Sequence, residues 1–176
     1  MSDDVQTIIA VVALLVVLFL FLAPFLLFFI YVFYQTGKRK RIRQQTQQTQ
    51  QQLIAGRVCI PVRYASEARF NAWFKLFPWE GAGVLVASPD NVLFLGEMLS
   101  GTPLNIQFAR GRSEIKWLGK CPWPNGAVSW FELDTAGAKH FFTSETGAFI
   151  IGSHKSTRAV YDEAQKGLVG SITGNV

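Results

Sequence analysis

Arg110-Gly111-Arg112, with Lys116 just beyond, is the one stretch of this sequence whose side chains and spacing could hold a ligand. Two guanidinium groups on a tight turn can present paired donors to a phosphate, and Gly111 lets the backbone approach closely. The plainer reading of the same residues is a solvated hairpin turn. A second basic group comprises Lys38, Arg39, Lys40, Arg41 and Arg43. It reads as a topology signal beside a membrane and, compatibly, as a surface for anionic lipid. Catalytic chemistry has little to stand on. His140 and His154 have no Cys, Asp or Glu partner at metal-ligand spacing, and Cys59 and Cys121 are too far apart for a paired-thiol site. There is no Gly-x-Ser-x-Gly elbow, and Gly81-Ala82-Gly83 lacks the rest of any nucleotide fingerprint. No catalytic residue, metal site or cofactor is expected.

The element that positions these groups is the stretch 8–34, which contains no charged side chain. A bilayer core of about 30 Å needs roughly 20 apolar residues in a helix, so residues 8–34 are expected to form a transmembrane helix. A cleaved signal peptide fits less well. The flank 1–7 carries Asp3 and Asp4 but no Lys or Arg, the apolar run is too long, and no small-x-small site follows it. The basic residues come after the stretch, which predicts an N-terminus outside and a C-terminal portion on the cytoplasmic side of a plasma or inner membrane. Tyr31 and Tyr34 suit an interfacial aromatic belt, and Pro24 is a position for a kink. Without an intramembrane charge, the stretch offers no ion path.

Residues 35–56 read as a basic and then Gln-rich linker. Its tract 44–52 (QQTQQTQQQ) has no apolar face to pack, so it is expected either as a loose continuation of the membrane helix or as disordered. Residues 57–168 read as one domain, followed by a flexible tail at 169–176. The net charge of +5 comes mainly from the five basic residues of 38–43, so the pI near 9.4 does not point to nucleic acid. In a reducing cytoplasm Cys59 and Cys121 are expected as small buried apolar groups. Strands are expected at 57–64, 84–87, 92–96, 104–109, 114–118, 128–133 and 139–143, separated by Gly-, Pro-, Asn- and Ser-containing turns. Such spacing, about 8–12 residues, predicts an antiparallel sandwich or barrel. Between the first two strands, Ser66 can cap a helix on which Phe70, Trp73, Phe74 and Phe77 fall at i, i+3, i+4 and i+7. That stripe is expected either buried against the sheet or dipping into a nearby membrane. A closing helix over 156–168 has Ser156 as cap, a stripe of Val160, Tyr161, Ala164 and Leu168, and Gly167 at its stop.

The order of a strand, a helical insertion, six strands and a terminal helix resembles the pleckstrin-homology superfold and its GRAM-like branch. The residues that carry the resemblance are Gly83-Val84-Leu85-Val86-Ala87-Ser88, then Val92-Leu93-Phe94-Leu95-Gly96, the stretch Ala127 to Leu133, and Lys139-His140-Phe141-Phe142-Thr143. The fold class expected is therefore a transmembrane helix followed by an α+β domain, an antiparallel sandwich or barrel closed by a C-terminal helix. The resemblance implies a binding module for anionic lipid headgroups or a protein partner at the membrane surface. An accessory subunit of a larger membrane complex is the competing expectation.

Overall fold

The computed structural model describes residues 3–75, 77–122, 124–146 and 153–169. The expected tail at 169–176 lies outside them from residue 170 on, and so do Trp123, at the expected turn 121–126, and residues 1 and 2. The chain forms two compact units, Met1–Gly37 and Lys38–Val176.

The first unit is the greater part of helix α1 (Asp3–Thr49), which continues through Pro24 without a break in its assignment. Its apolar side chains are exposed, Phe19 and Phe21 both by 69 %. α1 is long and apolar enough to cross a membrane.

The second unit begins with the last turns of α1 and the short α2 (Gln51–Ile54). Of the two expectations for the tract 44–52, a continuation of the apolar helix or disorder, the structure has the first: it is helical up to Thr49 and again from Gln51. Seven antiparallel strands follow: β1 (Val58–Ser66), β2 (Gly81–Ala87), β3 (Asn91–Met98), β4 (Pro103–Ala109), β5 (Ser113–Lys120), β6 (Ser129–Thr135) and β7 (Ala138–Ser144). They form one sheet in the order β4-β3-β2-β1-β7-β6-β5. It is curled into a half-barrel and closed by α4 (Ser153–Val169). This arrangement is consistent in general terms with a PH-like fold.

Alternation along the strands builds two faces. On the inner face Val62, Tyr64, Leu85, Val92, Phe94, Phe131, Leu133 and Phe142 pack with Val160, Tyr161, Ala164 and Leu168 of α4. Thr157, fully buried, fixes α4 to β7 by accepting from the Ser144 backbone N–H at 3.1 Å. Gly167 does not stop α4 but lies within it. A Cβ there would meet the Ser88 carbonyl oxygen at 2.9 Å, so its role is close approach to the β2–β3 turn. A similar demand pairs Gly83 with Gly96 across β2 and β3, where the Phe94 ring crosses both.

The outer face carries two smaller clusters. Val84, Val86 and Leu95 pack with Ile54 and Cys59. Ala65, Val128, Trp130 and Phe141 are covered by the β1–β2 connection through Phe70, Phe77 and Trp79. That connection differs from the helix expected over 66–77. Ser66 does cap it, accepting from the Arg69 backbone N–H at 3.3 Å, but α3 spans only Glu67–Asn71, and Ala72 is already extended at φ −60°, ψ 131°.

Candidate functional site

The residues that the sequence assigns to one basic cluster have separate fates. Positions 39, 42 and 43 share a helix face, since side chains three and four apart are neighbours. That face turns inward: Arg39 is 2 % and Ile42 3 % exposed, whereas Lys40 and Arg41 remain exposed. Lys38 Nζ donates to the Leu99 carbonyl oxygen, at 2.5 Å, in the β3–β4 connection.

Glu145 is the anion that makes the burial of Arg39 possible. It directly follows β7 and is pinned there by its backbone N–H, which donates to the Pro61 carbonyl oxygen at 3.1 Å. Arg63, on the outer face of β1, donates to Glu145 Oε1 from Nε at 3.1 Å and from Nη2 at 2.7 Å. Arg39 Nε donates to Oε2 at 3.1 Å. Arg43 Nη1 lies 2.8 Å from the same oxygen, an ion-pair neighbour without the alignment of a hydrogen bond. The side chains of Arg39, Arg63 and Glu145 are each at most 3 % exposed. The Trp79 ring supports the pair, with the Arg63 guanidinium 4.1 Å and that of Arg39 5.3 Å from its centroid. Burial by itself pushes the Glu145 carboxyl up. The hydrogen bond and charge of Arg63, with the charges of Arg39 and Arg43, outweigh that and hold it below the usual carboxylate range. Burial lowers the Arg39 pKa, against the pull of Glu145.

The β1–β2 connection is the second feature. Lys75 is 4 % exposed, and its ammonium donates to the Arg69 carbonyl oxygen at 2.8 Å, to that of Phe70 at 2.6 Å and to Asn125 Oδ1 at 2.5 Å. The first two acceptors are carbonyls at the end of α3, where a helix terminus leaves acceptor capacity to fill; the Arg69 oxygen also accepts from the Ala72 backbone N–H at 3.3 Å. Burial, and then the charge of Arg69, lower the Lys75 pKa. Arg69 Nη2 donates to the Phe77 carbonyl oxygen at 2.7 Å, and Phe70 stacks on Phe141 with centroids 4.0 Å apart. The loop is therefore tied at both ends, and between the ties Trp73 is 88 % and Phe74 89 % exposed. The expected aromatic stripe is divided: Phe70 and Phe77 go to the outer cluster, Trp73 and Phe74 to solvent.

The expected ligand turn is exposed. Arg110 and Arg112 flank Gly111 (φ +74°) between β4 and β5. The Arg110 backbone N–H donates to the Asp90 carbonyl oxygen at 3.0 Å, and its Nη2 donates to that of Val169 at 3.3 Å. Lys116 is exposed on β5, about 13 Å further along at about 3.3 Å per residue. It stands opposite Glu132, which pairs with Lys139 at 3.3 Å. The turn thus brings Arg110 and Arg112 together, while Lys116 sits in an alternating charge ladder. By strand order, this turn and Leu99 lie at opposite ends of β4, about 23 Å apart.

His140 is half-buried, with Nδ1 3.1 Å from the Tyr64 hydroxyl and Nε2 3.4 Å from Thr135 Oγ1. Burial lowers its pKa against the partial pull of Asp134; burial and the Glu80 charge push the Tyr64 phenol up to about 12. His154 Nδ1 is 2.9 Å from Ser129 Oγ. Cys59 and Cys121 are half-buried thiols, both pushed up by burial. Among the described residues no group of three His, Cys, Asp or Glu side chains could hold a metal ion. Comparison with protein-family models, curated proteins and solved structures finds no match to this chain.

Proposed function

We propose that the chain is a single-pass membrane protein whose PH-like unit works as a binding module at the cytoplasmic face, taking anionic lipid headgroups beside its own anchor. The observation that carries this reading is the division of the basic segment. Arg39 and Ile42 are built into the folded unit, while Lys40 and Arg41 on the same turns stay exposed. A segment that served only as a topology signal would need none of its arginines buried against a glutamate more than a hundred positions away. Here the helical segment that follows the apolar stretch is a structural part of the module, and its exposed cations Lys40 and Arg41 come six and seven residues after Tyr34. Arg110 and Arg112, at the far end of β4 from Leu99, are assigned no part in this contact.

Each basic residue near an anionic surface contributes about 1 kcal/mol, which is about fivefold in association. The test is the full chain in phosphatidylcholine bilayers doped with spin-labelled phosphatidylserine or phosphatidylcholine. Preferential immobilisation of the serine lipid, reduced severalfold by Lys40→Gln with Arg41→Gln and unchanged by Arg110→Gln with Arg112→Gln, is the expected result. Equal association of both lipids at low salt would sink the proposal and leave the accessory-subunit reading, which cross-linking in the native membrane would then reveal.

A further inference from the structure

Of the described aromatic side chains in the second unit, only Trp73 and Phe74 stand exposed. The remaining large exposed apolar residues among those described in that unit, Val58 and Val169, are aliphatic and far from them in sequence. The pair does not sit on a loose segment. Lys75 closes the loop behind it with bonds to Arg69, Phe70 and Asn125, while Phe77 stacks on Trp79 with centroids 5.6 Å apart. These contacts leave a tip, Asn71-Ala72-Trp73-Phe74, without a charged side chain, because the neighbouring Lys75 ammonium is turned inward. Entry of this tip into an apolar phase therefore requires no charge to be stripped of water.

The chain itself indicates which apolar phase. Lys38 comes four residues after Tyr34, where the apolar stretch ends, which is about 6 Å of helix. Its ammonium is bound to the Leu99 carbonyl, and Leu99 packs in the same outer cluster as Phe70 and Phe77. So the cluster from which the aromatic tip projects is tied to Lys38, the first cation after the apolar stretch. A protein partner is the poorer fit. Two aromatic rings offer about 150–250 Å² each, against roughly 800 Å² per partner in a specific interface. A bilayer needs no shape complementarity, tethering makes even weak insertion effective, and Trp is favoured at the membrane–water boundary.

We propose that Trp73 and Phe74 form a second membrane contact, inserting their rings into the interfacial zone of the bilayer that the chain's own helix crosses. This rests on the membrane-spanning reading of residues 8–34 but not on any preference for anionic lipid. The full chain reconstituted in neutral phosphatidylcholine vesicles, with and without brominated acyl chains, tests it. The fluorescence difference between the wild type and Trp73→Phe isolates the one indole. Matching thermal unfolding of the two proteins establishes that the fold is unchanged, as expected for a site in solvent. Where it is not, 5-fluorotryptophan in the wild-type chain, read by fluorine resonance with a lipid-soluble and a water-soluble relaxation agent, gives the same discrimination. The expected result is a blue-shifted Trp73 component that loses most of its intensity to brominated lipid and little to acrylamide. A red-shifted component quenched by acrylamide and untouched by bromine overturns the proposal, as does one quenched by neither, which would mean burial against protein. Because the lipid is neutral, loss of serine-lipid selectivity and loss of bromine quenching are separate outcomes.

Discussion

Replacing Glu145 by Gln tests whether the buried arginines hold the segment after the span onto the half-barrel. Glu145 faces Arg39, Arg43 and Arg63, so its site already carries more positive than negative charge. Gln keeps the shape and one acceptor oxygen but removes the carboxylate that Arg39, Arg43 and Arg63 share. With Arg39, Arg63 and Glu145 each at most 3 % exposed, water cannot take over its role. Removal of one partner from a buried pair costs about 3–5 kcal/mol, which is a large share of an ordinary domain's stability of about 5–15 kcal/mol. Glu132→Gln is the control. Its partner Lys139 is 42 % exposed, and such a pair contributes at most about 1 kcal/mol. The assay is denaturant unfolding of the full chain in detergent, read by tryptophan emission, since Trp79 stacks on the cluster. The same carboxyl sets an acid limit. Its pKa is depressed in the fold, so its contribution is complete above the unfolded carboxylate value and is lost as pH falls through the lower, folded one. Glu145→Gln should flatten that acid limb. A loss below about 1 kcal/mol, equal to that of Glu132→Gln, would refute the claim that these arginines depend on Glu145.

Lys75→Met should cost about 1.5–3 kcal/mol, the range for a hydrogen-bonded charge; faster amide exchange over 67–77, with the strands unchanged, is the accompanying sign in hydrogen-exchange mass spectrometry. His140 gives a second pH dependence. Its folded pKa lies below the unfolded one, so stability is complete above the unfolded histidine value, near 6.5. It falls as pH drops from there toward the folded value. Unfolding midpoints across that window should fall for the wild type and stay flatter for His140→Gln. Gly83→Ala should prevent normal pairing of β2 and β3, because a Cβ there would sit 2.3 Å from the Leu95 carbonyl oxygen and 2.7 Å from Gly96 Cα. Loss of the cooperative thermal transition measures it, whereas Gly37→Ala, with nothing within 4 Å, should leave it intact.

The strands were legible because their signals are local. Turn residues punctuate them, and alternation sorts Tyr64, Phe94 and Phe142 to one face and Ala65, Leu95 and Phe141 to the other. The aromatic insertion was legible only in part. Its helical spacing is present, but two of its rings are claimed by partners distant in sequence, Phe70 by Phe141 and Phe77 by the cluster around Trp79. Once Lys75 satisfies the carbonyls at the end of α3, the helix need not continue to bring Phe77 inward. The buried arginines were hidden more completely. Beside an apolar stretch, any run of Lys and Arg has the pattern of a topology signal, and what distinguishes Arg39 is a carboxylate whose position is fixed by the β1–β7 ladder. No periodicity within residues 38–43 encodes that partner. Ile42, three positions after Arg39, was the one local clue, because an apolar side chain among five cations is at odds with a fully solvated segment. The same reasoning bears on function. The cations that read most plainly as a site, Arg110 and Arg112, lie across β4 from Leu99, whereas Lys38 is tied through Leu99 to the cluster that takes Phe70 and Phe77, the rings on either side of the exposed Trp73 and Phe74.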